Sequence, residues 1–150
     1  MKTITKTTFL SGAVLGLITT LPTLTTAADI DPTVAARQMI MKTLKDGMGP
    51  LGGMAKGAVA FDADAAQIAL QSMIEASAKA VTAFETNATD PKSEALPAIW
   101  ENWDDFVAKS EDLDFALEAW DVSSLESLQA GMGNVGAACG ACHKTYRIKK

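Results

Sequence analysis

The chain has 150 residues, 48% of them hydrophobic, with 13 Lys and Arg against 18 Asp and Glu for a formal net charge of −5. A chain of this length holds one domain with one core, and its acidic balance argues against nucleic acid or an anionic membrane surface as a partner.

The first element is a targeting segment. MKTITK is followed by the apolar run FLSGAVLGLITTL and then by TTAA, the basic, apolar and small-residue order of a secretory signal. The apolar run is shorter than the roughly 20 residues that span a bilayer, so residues 1–28 read as a removed leader and not as a membrane anchor. The cut is expected after Ala27 or Ala28. Removing Lys2 and Lys6 from the 13 basic residues leaves 11 against 18 acidic ones, a net charge of −7 on residues 29–150. Export places this domain in the periplasm, an oxidising compartment where two cysteines pair or are otherwise occupied.

The remainder is rich in helix formers and shows no strand-like alternation, so it reads as all-α. Asp31 and Pro32 start a first helix. It carries Val34, Met41 and Met48 at seven-residue intervals and reaches at least Asp46. GMGPLGG, residues 47–53, is expected to kink or interrupt it. Phe61 and Asp62 open a second helix through about Phe84, with Ala66, Ile68, Ala69, Met73, Ala76, Ala80 and Phe84 inward. ETNATDPKSEALP, residues 85–97, is the longest connection. A third helix carries Ile99, Trp100, Trp103, Phe106, Val107, Leu113, Ala116, Leu117 and Trp120, and its acidic run reads as a solvated face.

Ser123 and Glu126 have capping-box spacing and start the fourth helix. Along it Leu125, Leu128, Met132, Val135, Cys139, Cys142 and Tyr146 alternate steps of three and four, the seam of a packed helix. Four amphipathic helices with mostly short connections imply an antiparallel four-helix bundle.

Both cysteines and the single histidine fall in CGACH, residues 139–143. A thioredoxin-like pair requires a βαβ context and a helix N-terminus, and these thiols lie near a helix C-terminus. A structural zinc site takes four ligands, and the chain offers two thiolates and one imidazole. C-x-x-C-H in an exported protein points to covalent haem c: Cys139 and Cys142, one helical turn apart, as thioether anchors, and His143 as axial iron ligand. Gly131, Gly133, Gly136 and Gly140 are each unfavourable in a helix. They fit a flat macrocycle lying against it, with close helix–helix contact as the alternative. GMGNVG, residues 131–136, matches the dinucleotide fingerprint G-x-G-x-x-G, but it follows a capped helix where that motif needs a strand, and it is set aside.

Arg37-Gln38 in the first helix, SEALPAIW from Ser93 to Trp100 and the ending VGAACGACHKTYRIKK make the chain resemble the cytochrome c′ family across residues 29–150. Cytochromes c′ are themselves reference examples of the antiparallel four-helix bundle, so family and fold are not independent conclusions. The resemblance implies that Arg37 and Gln38 approach the haem, with Arg37 pairing a propionate, and that Ser93 and Glu94 touch the haem edge. Arg147 lies on the proximal side, and Met41, four residues after Arg37, faces the distal side of the iron. In typical members the distal residue blocks the sixth position without binding, leaving five-coordinate high-spin iron. In low-spin relatives a methionine ligates, so the alternative is a Met41/His143-ligated electron carrier.

With no second histidine, bis-histidine ligation and an acid–base histidine for peroxidase chemistry are both excluded. A small cytochrome c with its motif near the N-terminus is excluded as well. The expected function is non-enzymatic: binding of NO or CO, transfer of single electrons to periplasmic redox partners, or both. NO reductase activity is weaker, since nothing supplies obvious proton delivery. The family commonly forms homodimers through its first two helices.

Overall fold

The computed structural model describes residues 29–149; the expected leader and Lys150 lie outside them. Helix α1 spans Pro32–Ala55. The Asp31 carboxylate accepts the Thr33 and Val34 amides at 2.8 and 3.2 Å, and Pro32 occupies the first turn, where a missing N–H costs nothing.

The expected interruption at residues 47–53 does not occur, and α1 runs through it with Pro50 inside. An interior proline costs about 3 kcal/mol. Burial offsets that cost, because Ile40, Leu44, Gly47, Leu51 and Met54 form one buried stripe in steps of four and three. Each buried Leu or Met side chain on it contributes about 1.5–3 kcal/mol. Gly47 brings the next helix close, since a Cβ there would stand 2.7 Å from the Met73 sulfur. Gly57, at φ 71°, then turns the chain in the left-handed region that glycine enters without strain.

Helix α2, Ala63–Ser77, is capped by Asp62, whose Oδ1 accepts the Ala65 amide at 3.0 Å. The expected continuous helix to Phe84 is instead split, with a short α3 at Ala80–Phe84. At the break the Lys79 amide bonds Ala76 O, a tightened turn, and the buried Ser77 hydroxyl donates to Ile74 O at 3.1 Å. The buried positions are Ala66, Leu70, Met73, Ala76 and Ser77. Ile68, expected inward, is 69% exposed, because two residues after Ala66 is roughly 200° around the helix.

The third rod is also divided. Helix α4, Ala98–Glu101, and helix α5, Trp103–Glu118, meet at Asn102, whose amide donates to Ala98 O at 3.1 Å. Helix α6, Leu125–Tyr146, starts one residue later than expected. Its capping box is Ser124 with Ser127, each hydroxyl accepting the other's amide, while the Ser123 amide turns to Asp121 Oδ1.

Helix α1 packs on α2 and α6, and α5 packs on the same two, closing a four-helix bundle in which α2 with α3 and α4 with α5 act as the middle rods. Leu51, Met73, Leu117, Leu128 and Val135 form the centre of the main core. A second cluster of Phe84, Ile99, Phe106 and Tyr146 lies toward the α4 end. Among the described residues no helix is long and apolar enough to cross a membrane.

Candidate functional site

Between these two clusters lies a cavity of about 670 Å³ with a mainly apolar wall, within the roughly 300–1,000 Å³ of small-molecule and cofactor sites. The side chains singled out in the sequence all line it. Helix α1 contributes Arg37, Gln38 and Met41, and the loop before α4 contributes Ser93 and Glu94. Helix α6 contributes Cys139, Cys142 and His143, with Arg147 as its C-cap.

The α6 seam explains this placement. Leu128 and Val135 are fully buried in the core, and one and two turns further on the same face delivers Cys139 and Cys142 to the cavity, both half-buried. The two thiols are free. Burial pushes both above the ordinary thiol range, Cys142 to about 11, so they rest as neutral thiols. Burial also lowers the His143 pKa, and the Arg147 cation adds to that while Glu94 opposes it. The imidazole therefore keeps a lone pair at neutral pH.

Arg37, expected beside the haem, also has partners in the protein itself. It is a charged residue only 3% exposed. Its Nε donates to Ala83 O at 2.9 Å, Nη1 to Ala88 O at 3.1 Å and Nη2 to Thr86 O. The guanidinium also lies 4.8 Å from the Phe84 ring centre and 5.1 Å from that of Trp100. Three of its five donors are thus occupied by the backbone at the start of the long connection. Arg37 lines the cavity and also holds that chain segment.

The same connection is fastened further along. The Asp31 amide donates to Asp90 Oδ2 at 2.9 Å, and Gln38 Nε2 donates to Lys92 O at 2.7 Å. Arg147 donates from Nε to Glu94 Oε2 at 2.7 Å and places Nη2 2.6 Å from the same oxygen. Backbone pairing joins the two segments, with the Ile148 amide on Glu94 O and the Leu96 amide on Tyr146 O, each at 2.9 Å. Ser93 and Glu94 are held at the cavity from both ends.

Close packing accounts for one of the α6 glycines, Gly131. A Cβ on Gly131 would overlap the Trp120 indole, 2.5 Å from Nε1, whereas Gly133, Gly136 and Gly140 have nothing within 4 Å and do not line the cavity. GMGNVG is helical throughout. The sequence reading missed Lys45, Lys109 and Ser110 as cavity-lining groups. Phe84, Phe106 and Tyr146 carried only an apolar signal, which does not separate a core position from a cavity wall.

The donor set fits an attached iron porphyrin: two free thiols one helical turn apart, an adjacent neutral imidazole, and a cavity of cofactor size. Comparison with known proteins agrees. Residues 32–147 match the family model described as Cytochrome C′. A cytochrome c-556 of Agrobacterium tumefaciens is 40% identical over 121 residues, covering 78% of this chain and 98% of that one. A cytochrome c′ from Rhodobacter sphaeroides superposes with a TM-score of 0.73 at 28% identity, over 79% of this chain and 96% of that one. A nitric oxide complex of a mutant cytochrome c prime from Alcaligenes xylosoxidans gives 0.72 at 28% identity, over 79% and 94%.

Proposed function

Because this chain belongs to the cytochrome c′ family, whose members carry covalently bound haem c with iron, we propose that it is a periplasmic haem protein that binds NO or CO and transfers single electrons. When bound, the haem supplies a one-electron iron couple and a coordination position for a small neutral gas. The observation that carries the reading is the convergence of two thiols, one imidazole and a methionine on a single mainly apolar cavity.

Each residue has a stated task. Cys139 and Cys142 anchor the macrocycle through thioethers. His143 offers its lone pair to the iron from α6. Met41 comes from α1, half-buried among apolar neighbours, and leaves a gas little competition from water or anions, which gain no hydrogen bonds there. The N-terminal residues 1–28 serve as the export leader. A homodimer through the first two helices belongs to the same reading; those helices carry the exposed Met39 and Ile68, at 63% and 69%.

A second reading has its own support. Met41 and His143 line one cavity, and the c-556 relatives at 40% identity suggest an electron carrier. Here the Met41 thioether would hold the iron together with His143, and such a ligand would raise the reduction potential.

The spin state of the exported protein, read by optical and EPR spectra before and after NO or CO is added to the reduced form, decides between them. High-spin iron that takes gas supports the first reading. Low-spin iron that turns high-spin in Met41→Ala supports the second. Cys139→Ala with Cys142→Ala is expected to give protein from which acid–acetone removes all haem, and haem that resists extraction overturns the attachment.

A further inference from the structure

Resemblance assigned Glu94 to the haem edge, yet in the structure its carboxylate is turned to Arg147. Arg147 Nε and Nη2 both reach Glu94 Oε2. The Arg147 amide also donates to His143 O at 3.2 Å, so the cation sits one turn beyond the imidazole at the C-terminus of α6. That helix end carries partial negative charge, which favours a cation.

The pairing is set by the backbone before the side chains meet. The Ala95–Arg147 bridge and the bonds Ile148 N to Glu94 O and Leu96 N to Tyr146 O fix the two segments in register. Neither long side chain searches for its partner, which removes much of the entropy cost that makes surface ion pairs weak. Glu94 and Arg147 face the same cavity as His143. Two opposite charges held at fixed positions beside one imidazole offset one another there, and the loss of either shifts the balance toward the sign of the other.

We propose that the Glu94–Arg147 pair is a charge-balancing latch that sets how strongly His143 donates to its axial partner, with Glu94 as the positioning residue for Arg147. This rests on the reading that His143 is the haem ligand and deepens it, because the tuning comes from the connection before α4 and not from α6 alone. A lone cation draws electron density from the imidazole and favours reduced iron. A carboxylate no longer offset by Arg147 does the reverse. With side chains 34% and 46% exposed, the pair is partly screened by solvent, so salt should shrink the effect.

The test uses the exported holoprotein with Glu94→Gln, Arg147→Gln, the double variant and Glu94→Asp. Covalent haem is measured first; its absence from the unsubstituted protein sinks the proposed function and is separable from the latch. In haem-bearing variants the reduction potential should rise for Glu94→Gln and fall for Arg147→Gln. The ferrous iron–histidine stretching band should move down and up respectively. The double variant and Glu94→Asp should both return close to the starting values. A latch that merely braces the fold would loosen the Leu96 and Ile148 amides to hydrogen exchange in both single variants with no opposition of sign. Potentials that shift the same way in both, or in neither, overturn the proposal.

Discussion

Gly131 lies against the indole of Trp120: a Cβ added there would stand 2.5 Å from the indole Nε1, the atom that donates to Leu128 O at 2.9 Å in the buried core. Gly131→Ala therefore displaces a buried ring and endangers its only hydrogen bond. It is expected to cost about 1–3 kcal/mol in urea unfolding of the holoprotein. Gly133→Ala is the internal control. With nothing within 4 Å, it should stabilise α6 by up to about 1 kcal/mol. Equal effects from both would refute the packing account.

Arg37 makes a second prediction. Its guanidinium serves the carbonyls of Ala83, Thr86 and Ala88, and Arg37→Gln leaves them without a charged donor at a mostly buried position. A loss of at least about 2 kcal/mol is expected. Amide exchange should speed up across residues 86–92, while haem stays attached. Arg37→Lys should recover little, because one ammonium cannot reach three carbonyls in a fork. Unchanged exchange in that segment would show that the clamp is not needed.

Alkaline pH tests Tyr146, the only tyrosine of the chain. Burial first, and then the hydrogen bond its hydroxyl donates to Asp105, push its pKa from 10 to about 12. The fold thus favours the neutral phenol. That stability is fully present below pH 10 and is lost as pH rises through about 12. Tyr146→Phe should flatten this alkaline decline in a stability-against-pH curve. Asp105 acts at the other end of the scale. Lys109 first and Tyr146 second hold its pKa below 3.8, so its contribution is present above that value and is lost on further acidification. Asp105→Asn should remove the acid component and lower the tyrosine titration.

The bundle and its chemistry were legible where the signal was local. C-x-x-C-H, the three-and-four stepping of the α6 seam, the Asp31-Pro32 start and the position of the polar connection are patterns within a few residues of one another. All nine expected site residues line one cavity: helical phase carries the six on α1 and α6 to a predictable face, while Ser93, Glu94 and Arg147 were legible only through the family resemblance. What escaped depended on partners distant in the chain. Pro50 is tolerated because Leu51 and Met54 find a buried place against other helices, which no local propensity records. The Arg37 carbonyl partners lie 46 to 51 residues away and carry no side-chain signature. Gly131 is small for the sake of an indole eleven positions earlier, and the same letter was open to a ligand reading. The reading of Ile68 as inward, by contrast, ran against a periodicity already present in Ala66, Leu70 and Met73.

The backbone bridge between residues 94–96 and 146–148 has a bearing on how the molecule matures. Its partners are separated by some fifty residues, so the rim beside His143 cannot be sealed until residues 146–148 have been added to the chain. Until then the thiols and the imidazole remain approachable from that side. A chain stopped just after Lys144 would keep every group needed for attachment and lack the strap that closes over it, which separates the chemistry of loading from the step that locks the product in.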